Sequence, residues 1–365
     1  MTKLLQTFVN SLALGSLYAL TALGYTLVYG VLRFINFAHS DVFTVGAWAS
    51  FTLATGAVGH AASSGVSGDK LYVLMGLWTA VAVGLTLFHH YRRGLPLEGV
   101  AKALGAGSVF LVGLLLWVRS NATPTLSVVP VMLLAMILCA MLGVTIEFLA
   151  YRPLRRAPRL NVLITAIGVS LFLQNVGQLK FVFGTQPQRM PALVEDRSLL
   201  EIAGVHIRLV DVLVVVLAAV LLFALEALVY RSKLGRAMRA VSFDERVASL
   251  MGIDVNRIIT ITFAIGSALA AAGGLLFALK YESIKQPADA TWVLLGLKAF
   301  VAAVVGGIGN VRGAVAGALL ISFVEVFGAA YLSPHMRDLS VFVILIAVLL
   351  FRPSGLFGKS VVEKV

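Results

Sequence analysis

Apolar runs of about 20 residues, the length needed to cross the hydrocarbon of a bilayer as a helix, recur from one end of the chain to the other. Short stretches of charge, glycine or proline separate them. Marking the runs by these boundaries predicts helical spans near 5–31, 41–59, 71–90, 103–119, 128–150, 161–182, 208–230, 257–279, 292–308, 314–332 and 339–351. The pattern therefore predicts an all-α membrane protein, a polytopic transmembrane helix bundle of about 10–11 spans. The spans at 41–59 and 292–308 are the candidates for broken or re-entrant helices. The first follows the turn Arg33–Asp41 and the second runs into Gly306, Gly307 and Gly309. Non-helical backbone is permitted at such places when protein buries it.

Two polar segments between spans are long enough to carry function. The external one, Gly184–Ile207, contains Pro187, Pro191, Glu195 and Asp196, and either meets a soluble partner or only connects helices. The other, 231–257, is cytoplasmic by the charge argument below. Within it, Ser242-Phe243-Asp244-Glu245 fits a capping box, in which the Ser242 hydroxyl and the Glu245 carboxylate satisfy each other's backbone amides. Gly252 supplies a residue able to take the left-handed stop conformation. A helix from Phe243 to Met251 is expected, too short to span, with Val247, Leu250 and Met251 forming one apolar stripe. Such a helix either wants a partner groove or rests on lipid headgroups.

Composition sharpens this picture. Only 13% of the 365 residues are charged and 59% are apolar, with a mean hydropathy of +0.96, against roughly 25% charged in soluble domains. The net charge of +12 is spread over short loops and makes no aromatic-laced basic surface, so nucleic-acid binding is not expected. Counted over alternate loops, Lys and Arg divide 18 to 10, with Lys298 inside a span. The positive-inside rule then places the C-terminus in the cytoplasm and the N-terminus outside. Cys139, the one cysteine, lies in an apolar run, which excludes disulfide frameworks and thiolate metal sites, and no metal ligand set is expected. Gly358-Lys-Ser360 lacks the first glycine of a phosphate loop, Pro353 standing in its place.

Four stretches carry a resemblance. RAVSFDERVASLMGID, Arg239–Asp254, resembles the ATPase-contacting loop of the permease subunits of branched-chain amino-acid ABC importers. GSLYALTALGYTLVYG at Gly15–Gly30, running on to INFAHSD at Ile35–Asp41, is similar to the same family. So are AIGVSLFLQN at Ala166–Asn175, and GLKAF at Gly296–Phe300 with GGIG at Gly306–Gly309. The chain departs from the family at Ser40, where glycine is usual, and at about 60–127, where 61–126 reads as a two-span insertion expected at the periphery of a single permease domain, 1–365. The resemblance implies an inner-membrane subunit that pairs with a second permease, binds two cytoplasmic ATPases and takes substrate from a periplasmic binding protein. The chain would need no cofactor, ATP being bound by the partner subunits, and membrane lipid would surround it. The coupling role would fall on Ser242, Phe243, Asp244, Glu245, Val247, Leu250, Met251 and Gly252.

Polar groups inside spans are the other candidates, because each must find a partner or a water-lined path there. Asn36 and His39 at the first turn, and Gln174 and Asn175 in the sixth span, either line a substrate path or bridge helices. Glu147 and Glu226 lie near cytoplasmic span ends, where Arg152 and Arg231 are in reach. Lys298 and Glu325 fall at matching depth in consecutive antiparallel spans, about 9 and 10.5 Å from the outer end at 1.5 Å per residue, and are expected to form an intramembrane ion pair. The competing readings are an ion-coupled secondary transporter, disfavoured because Glu325 is the one deep carboxylate expected, and a permease of the same family for urea or amides. No nucleophile–base constellation suggests an enzyme.

Overall fold

The computed structural model describes residues 2–58, 128–155, 157–194, 198–202 and 205–358. The predicted spans at 71–90 and 103–119, the insertion 61–126, His89-His90, Glu195 and Asp196 lie outside the described residues.

Among the described residues eleven α-helices follow one another: α1 (Thr2–Leu32), α2 (His39–Val58), α3 (Val128–Ile146), α4 (Arg159–Gly177), α5 (Leu209–Arg231), α6 (Lys233–Phe243), α7 (Glu245–Leu250), α8 (Val255–Tyr281), α9 (Ala290–Gly306), α10 (Val311–Tyr331) and α11 (Met336–Phe351). Six are long and apolar enough to cross a membrane by length and composition, and the shorter α9 is apolar too. The protein is an all-α polytopic membrane bundle.

Its centre is α1 and α8, whose most apolar windows are 94% and 78% buried, while the corresponding windows of α4 and α5 are only 17% and 22% buried and form the rim. Small residues explain the close packing at the centre, since in lipid the helices gain little from apolar burial and must approach through van der Waals contact. A Cβ on Gly274 of α8 would lie 2.5 Å from the Phe43 carbonyl oxygen of α2, and one on Gly46 of α2 would lie 2.4 Å from the Ala271 Cα of α8. The Gly313–Gly317 pair does the same for α10 on α9, a Cβ at Gly317 falling 2.2 Å from the Ala302 carbonyl oxygen. Gly274→Val should therefore force α2 from α8 and cost at least about 1–3 kcal/mol. Thermal unfolding followed by size-exclusion chromatography reads this out, with Gly168→Ala as a neutral control because nothing lies within 4 Å of a Cβ there. Wild-type stability of Gly274→Val would show that the approach is looser than described.

The helix ends correct several expectations. Helices α2 and α9 are continuous and not broken: Gly307 (φ 104°) and Gly309 (φ 92°) lie beyond α9 and turn the chain. The span expected to reach 182 ends at Gly177. Helix α3 passes into a π turn, Glu147–Tyr151, and a 3-10 turn, Arg152–Leu154. Helix α6, unforeseen, starts at Ser232, whose hydroxyl accepts from the Gly235 amide.

Four short strands among the described residues were also unforeseen. β1 (Gln188–Arg189) pairs antiparallel with β4 (Ser283–Ile284), and β2 (Ser198–Ile202) with β3 (Val205–Arg208). Strands of two to five residues carry too little alternation to register in a sequence dominated by apolar runs.

Candidate functional site

The segment between α5 and α8 forms a different cap from the one expected. Ser242 lies in the last turn of α6, and Asp244 is the N-cap of α7, its Oδ1 accepting from the amides of Arg246 (2.8 Å) and Val247 (3.0 Å). The capping box of Ser242 and Glu245 does not form, because the Ser242 hydroxyl is used elsewhere: it donates to the Gly30 carbonyl near the end of α1, 2.5 Å away. The helix is six residues long and not nine, and Gly252 (φ 80°) stops it as expected. The two amides hold the Asp244 carboxyl below the usual carboxylate range. Its folded pKa being lowered, the capping contribution is present above the unfolded-state pKa and is lost only as pH falls through the lowered value.

One face of this short helix is seated by Ala248, which is buried. The other is apolar and open: Val247 is 54% exposed and Leu250 87%, Met251 just past the helix is 78% exposed and Phe243 at the end of α6 86%, and Glu245 is exposed beside them. Arg33 ties the segment to the first turn. It holds a left-handed backbone (φ 54°), unusual for a side-chain-bearing residue, and its Nη2 donates to the Ser242 carbonyl at 3.2 Å. A cavity of about 630 Å³ opens here, with Arg33, Tyr151, Arg155 and Asp244 in its wall.

At the α1–α2 turn, Asn36 Oδ1 accepts from Tyr151 Oη (2.6 Å) and from the Ala38 amide (3.1 Å), so Asn36 bridges the turn to the end of α3. His39 is buried edge-on against Tyr25, ring centroids 4.7 Å apart. Its Nε2, and Oδ2 of Asp41, have no hydrogen-bond partner among the described residues. Gln174 reaches this cluster, donating to Asp41 Oδ1 at 2.9 Å and to Ser170 Oγ at 3.2 Å. Asn175 does not: it is exposed on α4 and donates to its own helix at Leu171 (2.7 Å).

Lys298 and Glu325 meet, Nζ to Oε1 at 2.9 Å, with both side chains buried. They are not an isolated pair. Glu325 also accepts from Arg337 Nε (2.6 Å) and from Tyr18 Oη (2.8 Å), and Lys298 also contacts Asp338 Oδ1 (2.5 Å). Three further carboxylates among the described residues are buried, each near a helix end. Asp211 is buried against Lys280, Glu147 is buried against Arg155 with Thr260 at 2.8 Å, and Asp41 is buried at the start of α2. Glu147 thus pairs with Arg155 rather than Arg152. Glu226 pairs with Arg312 (2.5 Å) rather than Arg231, the long arginine side chain reaching it from the first turn of α10. Among the described residues no group of three or more His, Cys, Asp or Glu side chains is placed to hold a metal ion.

Comparison with known proteins bears on what this arrangement serves. The family described as branched-chain amino acid transport system / permease component matches residues 7–89 and 69–349. The high-affinity branched-chain amino acid transport system permease protein BraD of Pseudomonas aeruginosa is 35% identical over 364 residues, 99% of this chain and 98% of that protein. The chain belongs to this permease family. LivH of Escherichia coli K12, a permease protein of the same description, is 33% identical over 99% of this chain and 97% of its own length. A probable branched-chain amino acid transport permease protein LivH of Methanocaldococcus jannaschii is 27% identical, covering 94% and 89%. No solved structure matches. None of these relatives is described as an ion-coupled transporter or as a urea or amide permease.

Several groups of this permease escaped sequence reasoning. Tyr18, Arg337 and Asp338 join the Lys298–Glu325 pair from α1 and α11, far apart in sequence. Asp211 and Glu147 lie within a turn or so of helix ends, where a carboxylate usually reads as interfacial.

Proposed function

We propose that this chain is the inner-membrane permease subunit of an ATP-driven importer of branched-chain amino acids. It works with a second permease, two cytoplasmic ATPases that bind the ATP, and a periplasmic binding protein. The observation that carries this reading is the segment from the end of α6 through α7, which presents Phe243, Val247, Leu250 and Met251 to solvent while Ser242, in the last turn of α6, bonds to Gly30 near the end of α1 and accepts from Arg33. An apolar surface held that rigidly is suited to a partner groove, and a push on it reaches the turn that holds Asn36 and His39. These two residues and Gln174 we assign to the inner part of the substrate path, with Asn175 on the rim facing the second permease. The chain itself breaks no bond and needs no cofactor of its own. Its N-terminus lies outside and its C-terminus in the cytoplasm, and lipid covers the rest of the rim.

The test is purification of the tagged chain from its native membrane with its bound proteins, followed by uptake of radiolabelled leucine in proteoliposomes. Two ATPases, a second permease and ATP-dependent uptake are expected. A homo-oligomer that carries leucine without ATP would overturn the reading.

A further inference from the structure

We propose that the cavity over the buried ion network binds the free zwitterionic amino acid, a site in the permease distinct from any on a soluble binding protein. This rests on the import reading above. The cavity holds about 420 Å³ at the end of α8 opposite α7, within the roughly 300–1,000 Å³ usual for small-ligand sites. Its wall combines opposite charges with apolar surface, the two halves of a branched-chain amino acid.

Three of the charges in the wall face outward: Lys285, and Arg337 and Asp338, which lie against the buried pair. Glu325 and Lys298 are 0% and 5% exposed and neutralise each other, whereas Arg337 and Asp338 are 46% and 50% exposed. Arg337 donates through Nε to Glu325, and a guanidinium carries further N–H donors able to hold a carboxylate. Asp338 receives Lys298 on Oδ1, and its second oxygen can take an ammonium. Adjacent in sequence, these two side chains offer a carboxylate site and an ammonium site side by side. Leu14, Phe277 and Leu295 line the same cavity and suit an aliphatic side chain. The inner pair acts as a positioning layer: Glu325 orients Arg337 and Lys298 orients Asp338.

The experiment is equilibrium binding of radiolabelled leucine to the purified transporter complex in nanodiscs, without the soluble binding protein. Saturable binding is expected, displaced by valine but not by isovalerate, which lacks the ammonium, or isopentylamine, which lacks the carboxylate. Arg337→Gln and Asp338→Asn should each weaken it about tenfold or more, the effect of losing one charge-assisted hydrogen-bonded contact. Leu295→Trp, which fills the cavity, should abolish it. The analogue competition needs no variant, so it stands even if one misfolds. No saturable binding, equal displacement by isovalerate, or affinity unchanged in all three variants would overturn the site. Uptake in proteoliposomes with the binding protein separates the two readings. Normal uptake with no cavity-dependent binding sinks the cavity alone, and cavity-dependent binding without any ATP-driven uptake sinks the import reading alone.

Discussion

Val247→Asp and Leu250→Asp will leave the chain inserted and folded while its ATPase partners dissociate and uptake collapses. Both side chains are exposed in the isolated permease, at 54% and 87%, so neither substitution removes packing from its own fold. In the complex the aspartate would have to enter an apolar groove without a partner. Desolvating an unpaired polar group costs about 3 kcal/mol, which lowers partner occupancy roughly a hundredfold. Size-exclusion chromatography reports the fold, co-purification reports the ATPases and leucine uptake reports the coupling. Wild-type retention and uptake would remove the coupling role from α7. Ala248, buried on the opposite face, is unsuitable for the same test because a charge there would disrupt the seat of the helix itself.

The second large effect concerns the buried network. Glu325→Ala strips the acceptor from Lys298, Arg337 and Tyr18 at once, whereas Lys298→Ala leaves Glu325 with Arg337 and Tyr18. Removing one member of a buried ion pair typically costs about 3–5 kcal/mol. Glu325→Ala should approach that range, and Lys298→Ala should fall below it. In the double mutant neither buried charge remains to be compensated, so its loss should be smaller than the sum by about 0.5–3 kcal/mol. Denaturant unfolding in detergent, followed by tryptophan fluorescence, measures the three differences. Strict additivity would mean that the two groups act independently despite their 2.9 Å contact.

Much of this was legible in the chain itself. The bilayer sets a length scale that apolar runs must meet, so the described spans fall where the runs lie, and a loop glycine such as Gly252 marks where a helix stops because few other residues tolerate that backbone angle. The depth of Lys298 and Glu325 could be counted from span ends, since a helix rises a fixed distance per residue. The family was legible too, in the segments around Gly15–Asp41 and Arg239–Asp254.

What the chain left open was decided by contacts between remote segments. Ser242 and Asp244 are equally good caps by local chemistry, and the choice fell to Asp244 because the α1 carbonyl of Gly30 takes the serine hydroxyl. Asn36 as bridge, Glu226 with Arg312, and the joining of Tyr18, Arg337 and Asp338 to the inner pair depend on how each helix is rotated about its axis and which neighbour it meets. Length and hydropathy carry no information on that rotation in helices that are apolar all round. It is set by where glycines and alanines let backbones touch, as Gly46 and Gly274 do between α2 and α8, and that complementarity exists only once both helices are packed.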